Sequence, residues 1–294
     1  MRLLGTLLLG LALAYLALAA LLFVFQSRFV YFPEMGRGDR ATPARMRLAF
    51  EDVRITTGDG ETLHGWFVPA QKARATVLFL HGNAGSIVHR LEWLPMFQRL
   101  GLSVLLIDYR GFGASTGTPS ETGTYADAEA AWRHLTETRR IPPERIVVFG
   151  ESLGSAVAAH LAARVSPGAL VLHSAFTSAP DLAADLYPFL PARRLTRFRY
   201  DTLGAVLASR SPLLVAHSPQ DEIVPVSHGR RLFDAAQVRK QWLELAGSHN
   251  DGFLFMRSEW VDQFDEFLRR HLTMLPDRGG SKMASGANTG GQHD

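Results

Sequence analysis

The run Gly150-Glu151-Ser152-Leu153-Gly154 constrains what this chain can fold into more than any other stretch. It stands where an apolar strand pattern, Arg145-Ile146-Val147-Val148-Phe149, gives way to a small-residue helix former, Ala156-Val157-Ala158-Ala159-His160-Leu161-Ala162-Ala163. A serine on such a strand-to-helix turn is pushed out of the backbone. The two glycines permit the sharp bend and the close packing beneath it. Ser152 is therefore a candidate nucleophile. Its bland alternative is a helix N-cap, the ordinary role of serine before a helical run.

Two partners follow in the chain. Leu213-Leu214-Val215-Ala216-His217 reads as an apolar strand running into a polar loop with Asp221. Gln241-Trp242-Leu243-Glu244-Leu245-Ala246 reads as another strand, and the loop after it carries His249. The chemistry needs all three residue types. A serine hydroxyl is a poor nucleophile until a base takes its proton, and a carboxylate must hold that imidazole in the right tautomer. Glu222 adjoins Asp221, and either can be an N-cap or a solvated charge; Asp221 is preferred as the acid. Of the eleven histidines, His249 stands out because it follows the last strand and precedes an amphipathic helix. His81 and His217 read as structural hydrogen-bonders.

The remaining pattern alternates strands with helices. Residues 50–56 and 62–68, joined by Thr57-Gly58-Asp59-Gly60, predict an antiparallel hairpin. Further strands centre on Val77-Leu80, Val104-Ile107, Val147-Phe149, Leu170-Leu172, Leu213-Val215 and Trp242-Leu245. Helical patterns between them predict an α/β fold with a mostly parallel central sheet covered on both faces. The candidate residues all fall at carboxyl ends of strands, where open α/β sheets place their sites. Residues 176–208, with Pro188 and Pro191, predict a small helical cap above Ser152. Tyr187, Phe189 and Leu190 there either line an acyl pocket or simply pack.

His81-Gly82-Asn83-Ala84-Gly85, Asp108-Tyr109-Arg110-Gly111-Phe112-Gly113, Gly150-Glu151-Ser152-Leu153-Gly154, Asp221-Glu222-Ile223-Val224-Pro225 and Ser248-His249-Asn250-Asp251 occur in this order. Together they resemble the Bem46-like branch of the α/β-hydrolases, over about residues 27–272. The resemblance implies an α/β-hydrolase fold with Ser152 as nucleophile, Asp221 as acid and His249 as base. It further implies an oxyanion hole from the backbone N–H groups of Asn83 and Leu153, supported by His81, Gly82, Gly150 and Gly154. One departure is Ser218, which stands where the branch usually has glycine after the strand-end histidine.

Gly111-Phe112-Gly113-Ala114-Ser115-Thr116-Gly117 follows a strand and faintly suggests a dinucleotide loop. The third glycine falls one place late, and Gly117-Thr118-Pro119-Ser120 continues the loop where a fingerprint helix should open. No cofactor and no metal are expected. The chain has no cysteine, which excludes thiolate metal sites and disulfides.

From Leu3 to Phe25 run 23 residues without a charge. As a helix they rise about 34 Å, enough for a hydrocarbon core of about 30 Å. Phe29, Tyr31 and Phe32 follow as an interfacial aromatic belt would. Ala17-Leu18-Ala19 resembles a signal-peptidase site, but the apolar run continues past it, so an uncleaved signal-anchor over residues 1–26 is favoured. The flanking arginines (Arg2 before; Arg28, Arg37, Arg40 and Arg45 after) point one way and the short leader the other. The single-pass reading leans toward a catalytic domain on the export side.

The 294 residues are 47% hydrophobic, ample for one hydrolase domain over 27–274. Residues 275–294, Gly- and Ser-rich, read as a disordered tail. A net charge of +3 suits a protein near anionic lipid, and no basic stripe interleaved with aromatics points to nucleic acid. Arg193, Arg194, Arg197, Arg199 and Arg210 form the densest basic cluster. It reads as a solvated face, with a headgroup- or acid-binding cap as the alternative. The expected activity is hydrolysis of a carboxylic ester or thioester, with small-molecule or lipid esters and acylated proteins as candidate substrates. Amide cleavage is the enzymatic alternative, and a non-catalytic scaffold at the membrane the alternative of another class.

Overall fold

The computed structural model describes residues 2–35 and 38–272. The tail expected over 275–294 lies outside the described residues.

Eight strands form one sheet: β1 (Glu51–Thr56), β2 (Thr62–Val68), β3 (Ala75–Leu80), β4 (Leu102–Ile107), β5 (Ile146–Glu151), β6 (Ala169–His173), β7 (Leu213–His217) and β8 (Lys240–Glu244). Their order is β1-β2-β4-β3-β5-β6-β7-β8. The hairpin β1–β2 is antiparallel, as is the β2–β4 pair, and every pairing from β4 to β8 is parallel. Strands β3 to β7 are buried along their whole length. That explains their continuous apolar sequences, since a parallel strand covered on both faces has no solvent side to alternate toward.

Ten helices accompany the sheet among the described residues: α1 (Arg2–Val24), α2 (Gln26–Val30), α3 (Leu94–Arg99), α4 (Glu121–Arg133), α5 (Leu153–Val165), α6 (Ala179–Leu186), α7 (Ala192–Leu195), α8 (Thr202–Ala208), α9 (Val226–Ala235) and α10 (Ser258–His271). The period-2 alternation of the strands divides the core into two layers. Leu78, Leu80 and Val148 pack with Ala131 of α4, Val157 of α5, Val206 of α8 and Leu232 of α9. Val77, Phe79 and Phe149 pack on the other face with Phe97 of α3 and Phe264 of α10. In that second layer Phe79 and Phe149 stack with ring centroids 5.1 Å apart. Of the insert between β6 and β7, α8 joins the main helix layer through Val206, and residues of α6 and α7 line the same cavity as Ser152.

Helix α1 is long and apolar enough to cross a membrane, and none of its residues is buried. The aromatic belt expected just after it needs one correction. Phe29 and Phe32 are exposed, but Tyr31 is buried, with its hydroxyl 2.7 Å from that of Tyr200 and its ring edge-on to Phe198. Its phenol finds a partner inside the domain, where an interfacial tyrosine would find water. The glycine-rich loop after β4 opens no helix at its glycines. The next helix, α4, starts at Glu121 with Ser120 as its N-cap, so the dinucleotide pattern has no phosphate-binding helix end.

Candidate active site

Ser152 directly follows β5 and sits at the start of α5 with φ +52° and ψ −116°. This is a backbone conformation that costs a non-glycine residue about 1–3 kcal/mol. The sheet and helix hold it there. The Ser152 amide donates to the His173 carbonyl at 2.8 Å, and Ser155 Oγ donates to the Gly150 carbonyl at 2.8 Å. The flanking glycines make the approach possible. A Cβ on Gly150 would lie 2.4 Å from the Gly154 carbonyl oxygen, and one on Gly154 would lie 2.0 Å from that of Leu80. The hydroxyl makes no capping hydrogen bond to α5, so the N-cap alternative has no support in the geometry.

The hydroxyl instead meets His249, whose Nε2 is 3.0 Å from Ser152 Oγ. On its other side, His249 Nδ1 lies 2.9 and 2.8 Å from the two Asp221 oxygens. A carboxylate accepts, so Nδ1 carries the proton and Nε2 is left as the acceptor for the serine hydroxyl. The choice between neighbouring acids resolves by position. Asp221 faces the imidazole, while Glu222 accepts the backbone amide of His249 at 3.0 Å.

Asp221 is buried, which alone would raise its pKa. Hydrogen bonds from His217 and His249 and from the Val224 amide outweigh burial and hold the carboxyl well below the ordinary range. The His217 Nε2 stands 2.9 Å from the Val224 carbonyl and 3.4 Å from Asp221 Oδ2, so this histidine braces the acid loop. Ser218, at the departure from the branch pattern, donates to the Gly247 carbonyl at 2.6 Å. That bond ties the acid loop to the loop bearing His249.

The loop after β3 brings Gly82 and Asn83 to the same cavity as Ser152, Leu153 and His249. The amides of Asn83 and Leu153 donate to no acceptor among the described residues. The Asn83 side chain does not turn toward the serine: its Nδ2 donates to the Val30 carbonyl at 3.1 Å. The main chain of this loop pairs with the segment that follows α2. Phe32 N donates to Asn83 O at 2.9 Å and Gly85 N to Phe32 O at 3.1 Å. His81 is fully buried, with Nδ1 donating to the Gly82 carbonyl at 2.6 Å and the pKa pushed down to about 4 by burial. It shapes the loop and carries no proton to the serine.

A partly buried ion pair lies below. Arg90 forks onto Glu151 at 2.9 and 3.0 Å and also donates to the Ala84 carbonyl at 3.1 Å. Burial would raise the Glu151 carboxyl, but Arg90 holds it low. This pair joins the loop bearing Asn83 to the residue before the nucleophile. Sequence reading missed it, because its two members are 61 residues apart and share no spacing rule. The bracing role of Val30 and Phe32 was missed for the same reason.

The sequence matches the family described as alpha/beta hydrolase fold over residues 75–289. An uncharacterised protein of Mycobacterium tuberculosis is 40% identical over 260 residues, covering 87% of this chain and 92% of that one. Alpha/beta hydrolase domain-containing protein WAV2 of Arabidopsis thaliana is 38% identical over 261 residues, covering 80% and 84%. Human alpha/beta hydrolase domain-containing protein 17B is 32% identical over 244 residues, covering 81% and 82%. Among solved structures, an esterase of Pyrococcus furiosus superposes with a TM-score of 0.68 at 23% identity, covering 80% of this chain and 97% of that one. The chain belongs to the α/β-hydrolase fold family.

Proposed function

We propose that this protein is a membrane-anchored serine hydrolase of the Bem46-like branch that cleaves carboxylic ester or thioester bonds through an acyl-enzyme. The observation that carries the reading is the continuous chain Ser152 Oγ–His249–Asp221, with hydrogen bonds of 3.0 and 2.8 Å, on a serine held at positive φ and free of any capping duty.

Ser152 Oγ attacks the carbonyl carbon while its proton passes to His249 Nε2. Asp221 stabilises the imidazolium, and its depressed pKa keeps it ionised throughout. The carbonyl oxygen becomes an oxyanion facing the amides of Asn83 and Leu153, each such donor supplying roughly 3 kcal/mol of transition-state stabilisation. The tetrahedral intermediate collapses, and the leaving oxygen or sulfur takes the proton from His249. Water then repeats the sequence on the acyl-enzyme, giving a carboxylic acid and the free serine.

The direct test is hydrolysis of p-nitrophenyl esters by the full chain and by Ser152→Ala, both folded in detergent. Loss of the nucleophile in such a site costs about 10⁶ in turnover. A variant that kept near-native turnover would remove Ser152 from this role.

A further inference from the structure

The cavity that begins at Ser152 and His249 does not stop at the cap. It has a volume of about 510 Å³ and is lined by Leu182 and Leu186 of α6 and by Ala19, Leu22 and Phe23 of α1. Along α1 only Ala19 and Leu22 are half-buried, and the other residues of the helix are exposed. They lie three residues apart, hence on one face of the helix, and that face looks into the cavity. The helix that reads as an anchor is therefore also a wall of the candidate active site.

Helix and cap are joined at two heights. Gln26 donates through Nε2 to the Leu195 carbonyl at 2.6 Å and accepts the Arg197 amide through Oε1 at 2.8 Å. Farther along, Tyr15 Oη donates to the Phe189 carbonyl at 3.1 Å. Tyr15 precedes the end of α1 at Val24 by a helical rise of about 14 Å. If α1 crosses a bilayer, the turn between α6 and α7 then lies at hydrocarbon depth. That turn is apolar and uncovered: Leu186, Tyr187 and Phe189 are exposed, Phe189 at 61%. Nearer the end of α1, Arg197 lies 5.7 Å from the Phe23 ring. Arg194, Arg197 and Arg199 are exposed and make no salt bridge among the described residues. Apolar side chains deep and arginines above them match a bilayer with anionic headgroups.

We propose that the cavity is an acyl-chain site loaded sideways from the bilayer, with α1 as one wall and the α6–α7 turn inserted beside it. The substrate class is an ester or thioester whose long acyl chain already resides in the membrane. The proposal rests on the serine-hydrolase reading and deepens it: α1 selects substrate as well as anchoring the domain. It also gives the arginine cluster a role at the headgroup layer.

The test uses the full chain in phosphatidylcholine–phosphatidylglycerol vesicles and compares Leu22→Trp with wild type on p-nitrophenyl palmitate and butyrate. An indole in the wall fills space that only a long chain needs, so the palmitate-to-butyrate rate ratio should fall about tenfold. An unchanged ratio overturns the proposal. Because the chain has no cysteine, a nitroxide on Phe189→Cys reports depth without background, whether or not the enzyme turns over. Greater accessibility to oxygen than to a water-soluble nickel chelate is expected, and the reverse order overturns the insertion of the cap. Parallel assays with S-palmitoyl peptide and phospholipid in the same vesicles separate the two sources of the acyl chain. Failure of wild type to react with a fluorophosphonate would instead strike the serine-hydrolase reading and leave the nitroxide result standing.

Discussion

Glu222 holds His249 by its main chain: the carboxylate accepts the His249 amide at 3.0 Å, while the adjacent Asp221 takes the imidazole. Two neighbouring acids thus divide the work of placing one base, one setting the loop and the other the ring. Asp221→Asn keeps the shape but presents an amide where Nδ1–H needs an acceptor, which favours the wrong tautomer. Its kcat is expected to drop about 10⁴-fold. Glu222→Gln retains an acceptor oxygen for the amide, and its loss should stay within about tenfold. Steady-state ester hydrolysis by both variants checks this, and equal losses would contradict the division of roles.

Glu151 is buried and Arg90 half-buried, so removing the arginine strands a buried carboxylate. Arg90→Ala is expected to destabilise the domain by about 3–5 kcal/mol. Replacing both members with apolar residues of similar volume, Arg90→Met with Glu151→Leu, should recover most of that loss. Denaturant titrations of the three proteins decide it. Because Arg90 also holds the Ala84 carbonyl beside Asn83, the double variant should regain stability without regaining full activity.

Buried histidines make acid the weak side of this fold. Burial pushes His81 and His173 from an ordinary 6.5 down to about 4. Between those values the unfolded chain binds protons that the native state refuses, so acid favours unfolding. Each of the two contributes a slope of up to about 1.4 kcal/mol per pH unit, with stability rising from pH 4 to 6.5 and levelling off above. His64 works the other way. The Asp108 carboxylate at 3.8 Å and the Asp52 carboxylate at 2.9 Å raise its pKa, so its contribution is lost as pH rises above its ordinary value. Midpoints of thermal unfolding in detergent should climb across the acid window, and a flat profile there contradicts the account.

Gly154→Ala tests the turn itself. Its Cβ would meet the Leu80 carbonyl oxygen at 2.0 Å and that of His81 at 2.6 Å, both backbone atoms that cannot step aside. Overpacking of this kind costs about 1–3 kcal/mol or more and should displace α5 from β3. A lowered unfolding midpoint with reduced fluorophosphonate reactivity is expected, and a variant matching wild type in both would refute the packing argument.

What could be read from the chain follows the range of the interactions involved. Strands β3 to β7 are buried on both faces, so their apolar runs announce them. Ser152 and Asp221 follow two such strands, β5 and β7, and His249 follows the half-buried β8, so a local rule places all three at one edge of the sheet. The hairpin was legible from its D-G turn. The braces were not. Arg90 and Glu151, Phe32 and Asn83, and Ser218 and Gly247 meet only because the strands between them pair in a particular order. No sequence spacing records that order. Tyr31 misled because aromatic residues after an apolar span suit a membrane interface and a domain core equally. Its partners in the domain, Phe198 and the Tyr200 hydroxyl 169 residues away, distinguish the two.

The measurement that bears most directly on the central claim is fluorophosphonate labelling of the full chain beside Ser152→Ala and His249→Ala. Covalent labelling of wild type, lost in both variants while they remain folded, is the predicted result. Labelling that persisted in Ser152→Ala, or a folded wild type that did not react, would contradict a serine activated by His249.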